Sequence, residues 1–124
     1  FRLNTQTRKL EPLASVAVGT GEAYGMCLWQ RASDKALFGF VVMKDGRIDQ
    51  VAIDMSGGTP SGKVVRSMKL GTQSEGCVVD DRTGVLYVAE EDVGLWKFDA
   101  DPAGPVAATA STKADGKELV IDVE

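Results

Sequence analysis

A repeat constrains this chain more than any other feature. Tyr24-Gly25 opens a run of strand character, followed by a turn, a second run and a hairpin. Glu75-Gly76 opens the same succession 51 residues later, and a further 49 residues on Glu124 closes a rising β pattern. The segments Leu37 to Met43, Arg47 to Ile53, Lys63 to Leu70, Gly76 to Val79, Val85 to Ala89 and Gly94 to Phe98 are rich in β-branched, aromatic and aliphatic side chains. Turn clusters such as Lys44-Asp45-Gly46, Ser56-Gly57-Gly58 and Asp81-Arg82-Thr83-Gly84 separate them. Short apolar runs bounded by Gly and Asp signal strands, and Asp45-Gly46 between two of them signals a hairpin. No window of about 12 residues carries a helical stripe. The stretch from Asp99 to Ala114, rich in Pro, Ala and Thr, reads as an irregular connection.

Tyr24 to Leu70 has room for four strands. Four antiparallel strands every ~40–50 residues mark a propeller blade. The predicted class is therefore all-β, a partial β-propeller of about two four-stranded antiparallel blades. A β-sandwich shares the short strands but not the repeat. The predicted boundaries are 1–23 for the end of a preceding blade and a linker, 24–74 for one blade, 75–121 for the next, and 122–124 for the start of a further one. Closing a ring takes at least ~4 blades. The chain opens on Phe1-Arg2-Leu3 and stops on Ile121-Asp122-Val123-Glu124 in mid-pattern, so a piece of a larger chain is expected. Two blades alone leave sheet faces and edges open, which predicts marginal stability or association. The innermost strand of each blade lines the channel, so Tyr24, Glu75 and Glu124 are expected to converge at one channel end.

Charge and composition narrow the function. Fourteen basic against 18 acidic residues give a net charge of −4, which argues against a nucleic-acid or anionic-membrane partner. No apolar run approaches the ~18 residues of a membrane span. Histidine is absent, so a Ser-His-Asp triad, histidine phosphotransfer and the usual zinc site are excluded for this chain alone. Cys27 and Cys77 stand three and two residues into their repeats. Those offsets point to opposite faces, so a disulfide is not expected and both read as small buried apolar residues. Neither cysteine opens a Cys-x5-Arg loop. Trp29 and Trp96 read as packing residues, and Arg66 and Lys69 as the exposed face of a strand. Gly19-x-Gly21 lacks the strand-turn-helix context of a dinucleotide loop.

The acidic clusters are Asp80-Asp81, Glu90-Glu91-Asp92 and Asp122-Val123-Glu124. On a strand, Asp122 and Glu124 point to one face, because side chains alternate with period two. Carboxylates gathered on one face repel unless a cation lies between them, and a hard cation such as Ca²⁺ with oxygen ligands suits them. Solvated turn residues are the competing reading, weakened by the repeat-equivalent placement of Glu75 and Glu124. Lys44, opening the hairpin, is either a surface turn lysine or a phosphate ligand at the channel mouth. Tyr24 is either a buried inner-strand aromatic or a hydroxyl aimed at a ligand or metal.

The block Thr72-Gln73-Ser74-Glu75-Gly76-Cys77-Val78-Val79-Asp80-Asp81, then Gly84-Val85-Leu86-Tyr87-Val88-Ala89-Glu90-Glu91-Asp92-Val93-Gly94-Leu95-Trp96-Lys97-Phe98, resembles the β-propeller phytases. Glu22-Ala23-Tyr24-Gly25, the Lys44-Asp45-Gly46 hairpin with Gln50 beyond it, and the Asp122-x-Glu124 ending fit as well. The resemblance implies a six-bladed ring that hydrolyses phytate (myo-inositol hexakisphosphate) with several bound Ca²⁺ ions, by attack of a metal-bound water. Carried over by motif, Tyr24, Glu75, Glu91, Asp122 and Glu124 fall on metal positions and Tyr24 and Lys44 on substrate positions. Glu75, Glu91 and Lys44 are the implied catalytic residues. Glu90 and Asp92 rank lower. The family usually has a small residue, commonly Gly, where this chain has Met43. Further basic phosphate ligands and calcium ligands of the family come from other blades, so the 124-residue piece alone is expected to be inactive. The implied substrate is phytate as its calcium complex, and the implied whole protein is monomeric and secreted or periplasmic. The alternative is a calcium-binding propeller of another class, either a lactonase-like hydrolase or a non-catalytic binding platform.

Overall fold

The computed structural model describes residues 1–123. A short hairpin of β1 (Arg2–Asn4) and β2 (Lys9–Glu11) precedes two larger sheets. The first is a meander of β3 (Ala23–Gln30), β4 (Leu37–Met43), β5 (Arg47–Asp54) and β6 (Ser61–Lys69). The second repeats it with β7 (Ser74–Asp80), β8 (Val85–Glu90), β9 (Gly94–Asp99) and β10 (Thr109–Lys113). All pairings are antiparallel between sequence neighbours. This is the predicted all-β architecture, two blades of a partial propeller with β3 lying against β7.

Local chemistry explains the turns. Between β4 and β5, Gly46 has φ +84°, and its N–H donates to the Met43 carbonyl at 2.9 Å. That left-handed residue after a tight turn is where a three-residue hairpin loop needs glycine. The strand expected over Lys63 to Leu70 is observed, starting two residues earlier. The irregular connection expected from Asp99 to Ala114 is corrected. Its second half is β10, the outermost strand, bulged between Ala110 and Thr112 and mostly exposed. The ladder to β9 makes that strand, and such an edge needs no apolar alternation for the sequence to display.

The core lies between the two sheets. Trp29, Phe38, Phe40, Val42, Ile48, Met68 and Leu70 from the first meet Val79, Leu86, Val88, Phe98 and Ala100 from the second. Along β3 the alternation is direct: Gly25, Cys27 and Trp29 turn toward the second sheet, while Met26 and Leu28 stay exposed on the reverse face.

The expectation that the cysteines do not pair is overturned: Cys27 and Cys77 form a disulfide, with Cα atoms 5.7 Å apart. The parity argument holds, but the conclusion drawn from it does not. The face one blade turns toward the next is the reverse of the face with which the next receives it. Residues that meet between blades must therefore sit on opposite faces of equivalent strands, as offsets of three and two demand.

Arg66 is also corrected, since it is buried rather than exposed. It shares the inward face of β6 with Met68, opposite Gln50. Its Nε donates to Gln50 Oε1 at 2.9 Å and its Nη2 to the Asp99 carbonyl at 2.5 Å. Its Nη1 reaches the Gly104 and Pro105 carbonyls at 3.2 and 3.3 Å. Gln50, fully buried, donates to the Ala100 carbonyl at 2.8 Å. A polar pair thus ties the first sheet to the loop after β9, and its buried groups are satisfied as buried polar groups must be. Lys69 stays exposed, near Asp45.

Candidate metal and phosphate site

The starts of β3 and β7 are pressed together. A Cβ on Gly25 would stand 2.0 Å from the Glu75 carbonyl oxygen, so only glycine fits there. Both strands are bulged at that level. Tyr24 is the extra residue between Ala23 and Gly25, and Glu75 and Gly76 lie between partners that leave only Ala89 opposite them. Bulges re-aim side chains and occur next to active sites. Here they act on the two residues that head the repeats.

Glu75 is only 8% exposed. Glu91 follows β8, its N–H donating to the Gln73 carbonyl at 3.1 Å. The Glu91 carbonyl accepts the N–H groups of Asp122 and Val123 at 3.0 and 3.1 Å. One carboxylate oxygen each from Glu75, Glu91 and Asp122 lies within 4.8 Å of the others. Burial first, then the charges of Glu75, Asp92 and Asp122, raise the Glu91 carboxyl above its usual range, with Lys44 opposing. A purely oxygen donor set of this kind fits a hard divalent cation. Among the described residues none of the three is in a salt bridge.

Lys44 stands beside this group. Its Nζ is 2.8 Å from Glu22 Oε1 and 5.1 Å from the Tyr24 ring centroid. Hydrogen bonding to Glu22, then its charge, raise the ammonium above its usual value. The Glu75 carboxylate, through its charge and then a hydrogen bond, raises the Tyr24 phenol likewise. A cationic head on an aromatic face, next to clustered carboxylates, makes a surface able to take a cation and an anion side by side.

The family model for phytases matches residues 2–124. The chain belongs to the phytase family. It is also 37% identical over 115 residues to a 3-phytase of Bacillus subtilis (strain 168), covering 92% of this chain and 30% of that relative. The phytase-family chain thus spans about a third of the length of this curated relative.

Of the sequence-predicted residues, the phytase fold brings Tyr24, Lys44, Glu75, Glu91 and Asp122 together. Glu124 lies outside the described residues. The expected strand at Asp122 is corrected: Asp122 sits in a bend with φ +73°. The N–H groups of Asp122 and Val123 go to the Glu91 carbonyl rather than to a ladder, and Asp tolerates the left-handed region. Glu90 is buried and structural, accepting from Thr72 N and Oγ1 at 2.7 and 2.9 Å and from Trp96 Nε1 at 2.7 Å. Asp92 acts on Glu91 through charge. Met43 is buried at the base of the hairpin. Sequence reasoning missed two residues, Glu22 and Gln73. Gln73 donates to both Glu75 and Glu91. Each stands two residues ahead of the residue heading its repeat, so period two within the repeat was the available signal.

Proposed function

We propose that this chain carries one wall of the active site of a calcium-dependent phosphomonoester hydrolase that releases phosphate from phytate. The observation that carries this reading is the convergence of Glu75, Glu91 and Asp122 within 4.8 Å, with Lys44 alongside. Family membership and the 3-phytase relative support the substrate. Calcium, when held by these carboxylates, supplies positive charge to the phosphoryl oxygens and acidifies a water.

The chain's own residues do the rest. Glu75, Glu91 and Asp122 hold the cation, with Glu124 joining them by resemblance. One of the glutamates orients the attacking water. Lys44 exchanges its Glu22 partner for a phosphate oxygen, a contact a compact ammonium makes well. The Tyr24 ring supports that ammonium, and its hydroxyl serves the cation or a phosphate. The disulfide supports a secreted or periplasmic setting, because such bonds persist in oxidising compartments.

The test is phosphate release from phytate by the intact protein. Activity is expected to vanish in excess EGTA and return with calcium, and Glu75→Gln and Lys44→Ala are each expected to lower turnover strongly. Full activity in EGTA refutes the mechanism, and near-normal rates in both variants refute the residue roles.

A further inference from the structure

Gln73 occupies a place that the acidic residues alone do not explain. Its Nε2 donates to Glu75 Oε1 at 3.3 Å and also to Glu91 Oε2. Its backbone carbonyl accepts the Glu91 N–H at 3.1 Å. A primary amide carries two donors, one for each carboxylate. One residue therefore restrains the Glu75 side chain together with the side chain and main chain of Glu91. Glu91 is only half-buried and is repelled by Glu75 and Asp122. Without the amide, nothing among the described hydrogen bonds holds its carboxylate inward, and rotation toward water relieves the repulsion.

Resting on the calcium reading above, we infer that Gln73 is a positioning residue for the cation. It pre-arranges Glu75 and Glu91 so that the cation meets a formed site instead of having to gather two like charges. Groups that orient metal ligands typically govern affinity by about 10–100-fold. The amide donates to carboxylate oxygens without adding charge, so it organises the pair while leaving its full negative charge to the cation.

The experiment is isothermal titration of the intact protein with calcium alone. Gln73→Met keeps the side-chain length and the backbone carbonyl but removes both donors, and is expected to weaken calcium binding by about 10–100-fold. Gln73→Asn, an amide on a stem one methylene shorter, is expected to fall between. Thr72→Val disturbs the same loop through Glu90, not through the cluster, and is expected to bind calcium as the wild type does. Wild-type affinity in Gln73→Met overturns the inference, as does an equal loss in Thr72→Val, which would place the effect in the loop. A wild-type protein without calcium affinity overturns the calcium reading itself and this inference with it.

Discussion

Breaking the Cys27–Cys77 bond is the sharpest test of how the two sheets are joined. The cross-link spans 50 residues of sequence and brackets β4, β5 and β6 entirely. It therefore ties the inner strand of one blade to the inner strand of the next. In the chain-entropy account, a closed loop of that size restricts the unfolded chain by about 4 kcal/mol, between the values for short and very long loops. Domain stabilities run to only about 5–15 kcal/mol. Reduction is thus expected to remove a large share of the total. At a urea slope of about 2 kcal/mol per molar, the unfolding midpoint falls by about 2 M. The assay is urea unfolding followed by tryptophan fluorescence, comparing oxidised chain, reduced chain and Cys27→Ala/Cys77→Ala. Reduced chain and double variant are expected to coincide, both far below the oxidised chain. Coincident midpoints for all three, or two titratable thiols in the native oxidised protein, refute the blade-joining argument.

Other expectations follow from single contacts. Gly25→Ala sets a Cβ against the Glu75 carbonyl; overpacking of that kind costs about 1–3 kcal/mol, and calorimetry should show weaker calcium binding alongside the lower melting temperature. Arg66→Met leaves Gln50 Oε1 and the Asp99 carbonyl without their donor, a loss of about 2–4 kcal/mol; an unchanged denaturation midpoint contradicts it. Hydrogen bonding to Arg31, then to the Ala36 N–H, lowers the Asp34 carboxyl to about 2. A depressed carboxyl contributes stability that is present above its unfolded value of 3.8 and lost as pH falls through about 2. Melting curves between those values should fall less steeply for Asp34→Asn than for the wild type, and parallel curves refute the pairing.

Much of the fold was legible because strand signals are local. Short β-branched, aromatic and aliphatic runs between Gly and Asp turns locate β3 through β9 without tertiary knowledge, and a 51-residue period groups them into blades. β10 was not legible, because an exposed edge strand owes its shape to the ladder on β9 and shows no apolar alternation. Arg66 misled for a related reason. A charged side chain reads as surface until the carbonyls that receive it, from Asp99, Gly104 and Pro105, are placed beside it. At the site, the repeat picked out Tyr24, Glu75 and Glu124, while Glu91 stood only within an acidic cluster until family resemblance singled it out from Glu90 and Asp92. Gln73 and Glu22 carried a period-two signal too faint to stand out from ordinary polar residues.

The sequence by itself determined the succession of β3 to β9, the blade repeat and which residue types head each inner strand, since these rest on side-chain chemistry and turn chemistry along the chain. Only the tertiary structure decided what those strands face. Packing β3 against β7 turns opposite faces of equivalent strands toward each other. That joins two cysteines that parity had separated, excludes any side chain at Gly25, and sets Tyr24 and Lys44 beside Glu75, while the pairing of β7 with β8 and the Glu91 carbonyl bring Glu91 and Asp122 to it from within the second blade. Proximity between blades is set by the rotation from one sheet to the next, a quantity that no local pattern encodes.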